Sequence, residues 1–117
     1  MRIIMDAHLH SRFSRATSPN MNVDGIFKWA NYKGINLVGT GDFTHPFWLA
    51  ELKEKLRQEE NGLLSYKNSE DKKDPQFILT AEISSIYTQG NKVRKIHNLI
   101  FAPSFQTVDQ INDTLSR

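Results

Sequence analysis

Four histidines stand in this 117-residue chain, and no cysteine. His8 and His10 flank one leucine, directly after the apolar run of residues 2–7. On extended backbone, residues i and i+2 face the same side, so two such imidazoles can grip one metal ion. Glu82 follows the apolar run Phe77-Ile78-Leu79-Thr80-Ala81. A carboxylate there is costly to bury unless it is paired or metal-bound, and its two oxygens can bridge two cations. Asp42 and His45 lie three residues apart in Gly39-Thr40-Gly41-Asp42-Phe43-Thr44-His45-Pro46, where the glycines allow close backbone approach. His97 sits in Ile96-His97-Asn98-Leu99-Ile100-Phe101. Histidine and carboxylate donors without thiolates suit zinc or manganese, with magnesium as a further option. A pair of such ions acidifies a water and stabilises in-line displacement at phosphorus, so the chemistry is phosphoester hydrolysis. Arg12 and Arg15 trail the histidine pair, and guanidinium groups suit bidentate phosphate contacts.

Each residue also has an ordinary reading. His8 and His10 can be exposed loop residues, and Arg12 and Arg15 solvated charges. Asp42 can be a turn residue, His45 the neighbour of a helix cap, and Glu82 a surface acid. His97 can be a hydrogen-bonded core histidine. What favours a site is convergence: all the histidines and both carboxylates fall at or near the ends of expected strands. In α/β sheets and barrels the carboxyl ends of parallel strands share one face, where sites form.

The elements that must do this positioning follow from periodicity. Residues 2–7 read as a buried strand. A polar loop covers residues 11–22. Val23, Ile26, Phe27 and Ala30 mark one face of a helix, with Asn22 as its N-cap and Gly34 as its stop. Residues 35–40 read as a second buried strand. Pro46 suits the first turn of a second helix, with Leu49, Leu52 and Leu56 as its apolar stripe and Asn61-Gly62 as its end. Trp48 and Phe47 can stack a base, but packing of that helix is the preferred reading. Residues 65–75 read as a solvated loop. Residues 77–81 form a third strand, and Gln89-Gly90-Asn91 looks like a hairpin turn. Lys92, Arg94 and Lys95 make one arm of that hairpin basic, a candidate contact for a DNA backbone. Residues 96–102 form a fourth strand. The last helix covers residues 107–117, opened by a Thr107/Gln110 capping box and burying Val108, Ile111 and Leu115. The alternation implies an α/β fold with mostly parallel strands.

At roughly 100–200 residues per domain, the chain is one domain at most, or part of one. Apolar content of 38% permits a packed core and argues against wholesale disorder. No apolar run is long enough to span a membrane, and Asp6 comes too early for a signal peptide, so the expected location is cytoplasmic. A net charge of +2 permits a phosphate-bearing partner without requiring one. Ser11 and Ser14 lack the paired base of a serine nucleophile.

Asp6-Ala7-His8-Leu9-His10-Ser11 resembles the first motif of the polymerase and histidinol phosphatase (PHP) superfamily. Asp42 with His45 resembles the second motif, Glu82 the bridging glutamate, and His97 the histidine of the third. The stretches of residues 10–18 and 39–46 look like those of the endonuclease Q group, whose members also go by the names UvrD-like helicase and PHP-family phosphoesterase. The resemblance implies a distorted (β/α)7 barrel that holds divalent ions on His8, His10, Asp42, His45, Glu82 and His97. It also implies a DNA repair endonuclease that nicks 5′ to hypoxanthine, uracil or xanthine. Here Asp-Phe-Thr-His replaces the adjacent acid–histidine pair, so Asp42 either ligates or orients. Residues 12–18 contain no further acid or histidine, which points to two ions rather than three. The family's late Asp-x-His ligands and later strands are absent. Residues 1–117 are therefore expected to be one partial domain, the N-terminal part of an unclosed barrel, with the remaining C-terminal part as its partner. The alternatives are a small-molecule phosphoesterase of the histidinol-phosphatase kind and a non-catalytic metal-binding fragment.

Overall fold

The computed structural model describes residues 4–6, 22–69 and 74–115. The order is β1 (Met5–Asp6), α1 (Val23–Lys33), β2 (Leu37–Gly39), α2 (Pro46–Lys55), β3 (Leu56–Gln58), β4 (Leu64–Tyr66), β5 (Gln76–Gln89), β6 (Lys92–Ala102) and α3 (Phe105–Leu115). The first helix starts and stops where capping chemistry says it should. The Asn22 side chain accepts from Gly25 N, and Gly34 closes the helix at φ 72°. Val23, Ile26 and Ala30 are buried along one stripe. A carboxylate oxygen of Glu51 on α2 accepts from Val23 N at 2.8 Å, satisfying another donor at the start of α1.

The sheet is mixed. Its centre is parallel: β1 pairs β2, and β2 pairs β5 through Leu37–Gln76, Val38–Phe77 and Gly39–Ile78. β4 and β6 both run antiparallel to β5, and β3 runs antiparallel to β4. The described strands do not close into a ring. One apolar core joins Val23, Ile26, Val38, Phe43, Trp48, Leu52, Leu56, Leu64, Phe77, Leu79, Ala102 and Val108. Among the described residues, no helix is long and apolar enough to cross a membrane.

Several expected boundaries change, each for a local reason. The second helix ends at Lys55 rather than at Asn61-Gly62. Leu56 does continue its stripe in spacing, but it enters the core from a strand, paired through Tyr66 to β4. Asn61-Gly62 is instead the bend of the β3–β4 hairpin, with Gly62 at φ 85° and Glu59 N donating to Leu63 O at 2.8 Å. Part of the expected loop at residues 65–75 is thus strand. The third strand and the hairpin are one continuous element, so Glu82 lies within β5 rather than at its end, and His97 lies within β6. The hairpin turn itself is as expected: Gly90 and Asn91 both take positive φ, 57° and 64°, as a two-residue I′-type turn requires. The last helix is capped by Ser104, not Thr107. Ser104 Oγ accepts from Thr107 N at 3.1 Å, and Val108 N donates to Ser104 O. Val108 is buried, but Leu115 is 54% exposed. In the first strand Ile4 and Met5 are exposed rather than buried, because β1 is the edge of the described sheet.

Tyr66 links α1 to the β3–β4 hairpin. Its ring stacks on Phe27 with centroids 4.5 Å apart, and its hydroxyl donates to Asp24. That hydrogen bond, aided by the charge of Lys55, holds Asp24 below the usual carboxylate range. The same bond pushes the Tyr66 phenol up. A depressed carboxylate contributes stability above its unfolded pKa and loses it as pH falls through the folded value. Tyr66→Phe keeps the stack and removes the bond. Because the Asp24 side chain is 41% exposed, solvent screens the bond and the expected loss is about 1 kcal/mol at neutral pH. Urea melts from pH 6 down to about pH 3 should show the difference from wild type shrinking as Asp24 protonates.

Candidate active site

Chain direction brings three strand segments to one end of the sheet. β1 and β2 run the same way, so the chain leaves Asp6 at the end where β2 delivers residues 40–45. β5 is parallel to β2 and continues past that end with Thr80 and Glu82. His8, His10, Arg12 and Arg15, which follow Asp6 in sequence, lie outside the described residues.

Thr80 stitches the β2 end to β5. Thr40 N donates to Ile78 O at 2.9 Å, and Thr80 N donates to Thr40 Oγ1 at 3.2 Å. Gly41 N donates to Thr80 Oγ1 at 2.8 Å, and Phe43 N to Thr80 O at 3.3 Å. Both threonines are fully buried, so these bonds are shielded from water. From the other side, the Trp48 indole donates to Gly41 O at 2.8 Å and lies 3.2 Å from Thr40 O. Asn112 Nδ2 of α3 donates to Phe43 O at 3.0 Å. The amide and carbonyl of Thr40, Gly41 and Phe43 are thereby each fixed by a named partner.

The turn has a shape that explains its spacing. Gly41 and Asp42 both take left-handed backbone, φ 68° and 49°. Asp42 is not glycine, and the left-handed region is one that Asp tolerates better than most residues. His45 N donates to Asp42 O at 2.9 Å, closing a tight turn. Phe43 drives fully into the core while Thr44 is exposed. Asp42 and His45, at its two ends, are left half-buried at the sheet end. His45 is itself the N-cap residue of α2, in extended conformation, and its imidazole makes no capping bond. Its ring lies 5.9 Å from the Phe47 ring, which is 71% exposed. The preferred core reading therefore holds for Trp48 and not for Phe47.

Glu82 is half-buried two residues beyond Thr80 on the same face of β5, a rise of about 7 Å. In the β5–β6 ladder Glu82 pairs with Leu99, and position 97 pairs with Ser84. Positions 82 and 97 are thus diagonal neighbours in the ladder. The structure brings Asp42, His45 and Glu82 to one end of the sheet and places position 97 diagonally across the ladder from Glu82. Among the described residues no set of three metal-ligating side chains converges. Carboxylate and imidazole donors remain the right chemistry for a hard or borderline divalent cation.

Sequence reasoning missed the residues that hold this turn. Thr40 and Thr80 were each visible as a lone hydroxyl ending an apolar strand run, a signal for a buried hydrogen bond. Asn112 carried no such signal, because its partner is a backbone carbonyl 69 positions away.

No family model matches the chain. An uncharacterised protein of Methanocaldococcus jannaschii is 36% identical over 113 residues, 97% of this chain and 11% of that protein. The structure is similar to the crystal structure of the lesion-specific endonuclease Q from Pyrococcus furiosus, with a TM-score of 0.77, 28% identity and coverage of 97% of this chain and 25% of that one. It is also similar to endonuclease Q in complex with a 27-mer duplex bearing an abasic lesion at the active site, with a TM-score of 0.74, 29% identity and coverage of 94% and 25%. The chain therefore spans a tenth of the curated relative and a quarter of the solved endonucleases. These solved neighbours are of the group that the motifs resemble.

Thr80→Val keeps the side-chain shape and removes the acceptor of Gly41 N. Leaving that buried donor without its partner costs about 1–3 kcal/mol. Denaturant melts should show the loss, and hydrogen exchange at Gly41 should accelerate more than at Val38 on the adjoining strand. Thr80→Ser, which keeps the hydroxyl, should recover the Gly41 protection.

Proposed function

We propose that this chain carries part of the active site of a PHP-type, metal-dependent phosphodiesterase that nicks DNA 5′ to deaminated bases. One observation supports it above the others. The Asp42–His45 turn is locked beside Glu82 by Thr80, in a chain whose structure resembles a DNA-cleaving enzyme over nearly its whole length. On this reading the open sheet is the first part of a distorted (β/α)7 barrel, and its partner is the remaining C-terminal part of a longer cytoplasmic protein.

The donor set fits divalent zinc or manganese: Glu82, His45 and Asp42 from the described residues, with His8, His10 and His97 completing it. Two bound ions would acidify a water and neutralise charge on the phosphate. Glu82 would be one of the carboxylate donors that hold the ions. His45 stands at the positive end of α2, where an anionic phosphate is also favoured. Asp42 either ligates or orients the attacking water, its backbone held in the left-handed turn. Arg12 and Arg15 bind the phosphate oxygens.

The test is cleavage of duplexes carrying one deoxyinosine, deoxyuridine, deoxyxanthosine or abasic site, with manganese or zinc and with chelator. The expected product is a nick 5′ to the lesion, abolished by chelation. Glu82→Gln should reduce it by at least about 100-fold, the upper end for groups that merely support a metal ligand. Hydrolysis of small phosphate monoesters with intact DNA would instead favour the histidinol-phosphatase type. Metal binding with no hydrolysis of either would make the chain a non-catalytic fragment.

A further inference from the structure

Beyond Thr80, its last residue bonded to the end of β2, the long strand β5 leaves the sheet. Its pairings with β2 and β4 are confined to Gln76–Ile78, whereas its ladder with β6 runs from Leu79–Ala102 to Gln89–Lys92. Among the described residues, the outer part of β5–β6 is a two-stranded ribbon. Every residue from Thr88 to Ile96 is exposed, so the ribbon's tip packs on nothing among the described residues. A free two-stranded ribbon is marginal on its own. Here it is rooted in the core through Leu79, Ala81 and Ala102.

Its charge is one-sided. Lys92, Arg94 and Lys95 stand near the tip, and no acid occurs between Glu82 and Asp109. On α2 and β3, three cations have acidic partners: Lys53 with Asp109, Lys55 with Asp24 and Arg57 with Glu59. Strand alternation puts Lys92 and Arg94 on one face of the ribbon and Lys95 on the other. The tip is therefore basic on both faces, which suits a surface with phosphates on either side. The major groove of duplex DNA is about 12 Å wide and admits a two-stranded ribbon.

Resting on the function proposed above, we infer that the β5–β6 ribbon is a DNA arm. It lies along a groove of the duplex, with Lys92, Arg94 and Lys95 on phosphates away from the cleavage site. Glu82 and the tip belong to the same strand. Gln89 lies seven residue steps beyond Glu82, a span of about 23 Å at the usual strand rise. At about 3.4 Å per base step, the arm grips roughly seven base pairs from the phosphate at the site. Its contribution is to affinity and placement, with no part in bond cleavage.

The experiment is fluorescence anisotropy of the purified chain with an undamaged fluorescent duplex across a salt series. Three proteins are compared: wild type, Lys92→Gln/Arg94→Gln/Lys95→Gln, and a control that removes equal charge elsewhere, Lys28→Gln/Lys33→Gln/Lys67→Gln. All six substituted side chains are exposed, and circular dichroism checks that each variant is folded. Each lost phosphate contact lowers the slope of log affinity against log salt by about 0.9, so the ribbon variant should lose roughly 2.7 in slope and at least tenfold in affinity at low salt. The control should retain nearly the wild-type slope. Equal slopes for the ribbon variant and wild type, or equal losses in both variants, overturn the DNA arm while leaving the nuclease reading intact. No duplex binding by the wild type also overturns the arm, and the cleavage assay above then judges the nuclease reading separately.

Discussion

Thr80 is the residue on which the arrangement of this molecule turns. Through its amide, hydroxyl and carbonyl it bonds Thr40, Gly41 and Phe43. Those bonds extend the parallel pairing of β2 and β5 past the last regular residue of β2. A turn that would otherwise be free at a strand end becomes an extension of the sheet. The bonds are buried, so breaking one exposes no replacement water and leaves a polar group unsatisfied. This is why a short strand of three residues, β2, can present a half-buried acid and imidazole at defined positions.

The rest of the fold supports that turn from outside. Trp48 fills the core and bonds two of the turn's carbonyls, so α2 is held against the loop that precedes it. Asn112 reaches in from α3, and Lys53 with Asp109 ties α2 to α3 at 2.9 Å. Phe43 anchors the middle of the turn in the core. The spacing Asp-Phe-Thr-His thus has a packing logic: one residue inward, one outward, and the two polar ends left at the sheet end. The ribbon beyond Glu82 is built differently: among the described residues its own ladder holds it, and its tip carries charge.

Much of this was legible in the chain. The first helix announced itself with Asn22, Gly34 and a clean apolar stripe, because caps are local chemistry. The Gly90-Asn91 turn was equally local. Leu56 misled, because spacing from Leu52 fits a helix while its burial is achieved from a strand. The length of β5 was hidden for a related reason: the polar Ser84 and Ser85 interrupt the pattern between the apolar run of residues 77–81 and the hairpin, although the backbone pairing runs through them. Of the candidate site, the position of Asp42 and His45 past a strand end was readable, and Glu82 was read at the end of its strand, whereas it lies within β5. The locking bonds of Thr80 and Asn112 join distant parts of the chain, and no local pattern encodes such a pairing.

The central claim is that donors delivered at this sheet end hold divalent metal. Elemental analysis of the purified, folded chain, compared with His8→Ala/His10→Ala, tests it most directly. The account predicts about two tightly held ions per chain, the number that a two-ion phosphodiesterase site requires. The double variant should stay folded and lose them. A folded wild-type chain that retains no zinc or manganese after equilibration with either would contradict the account.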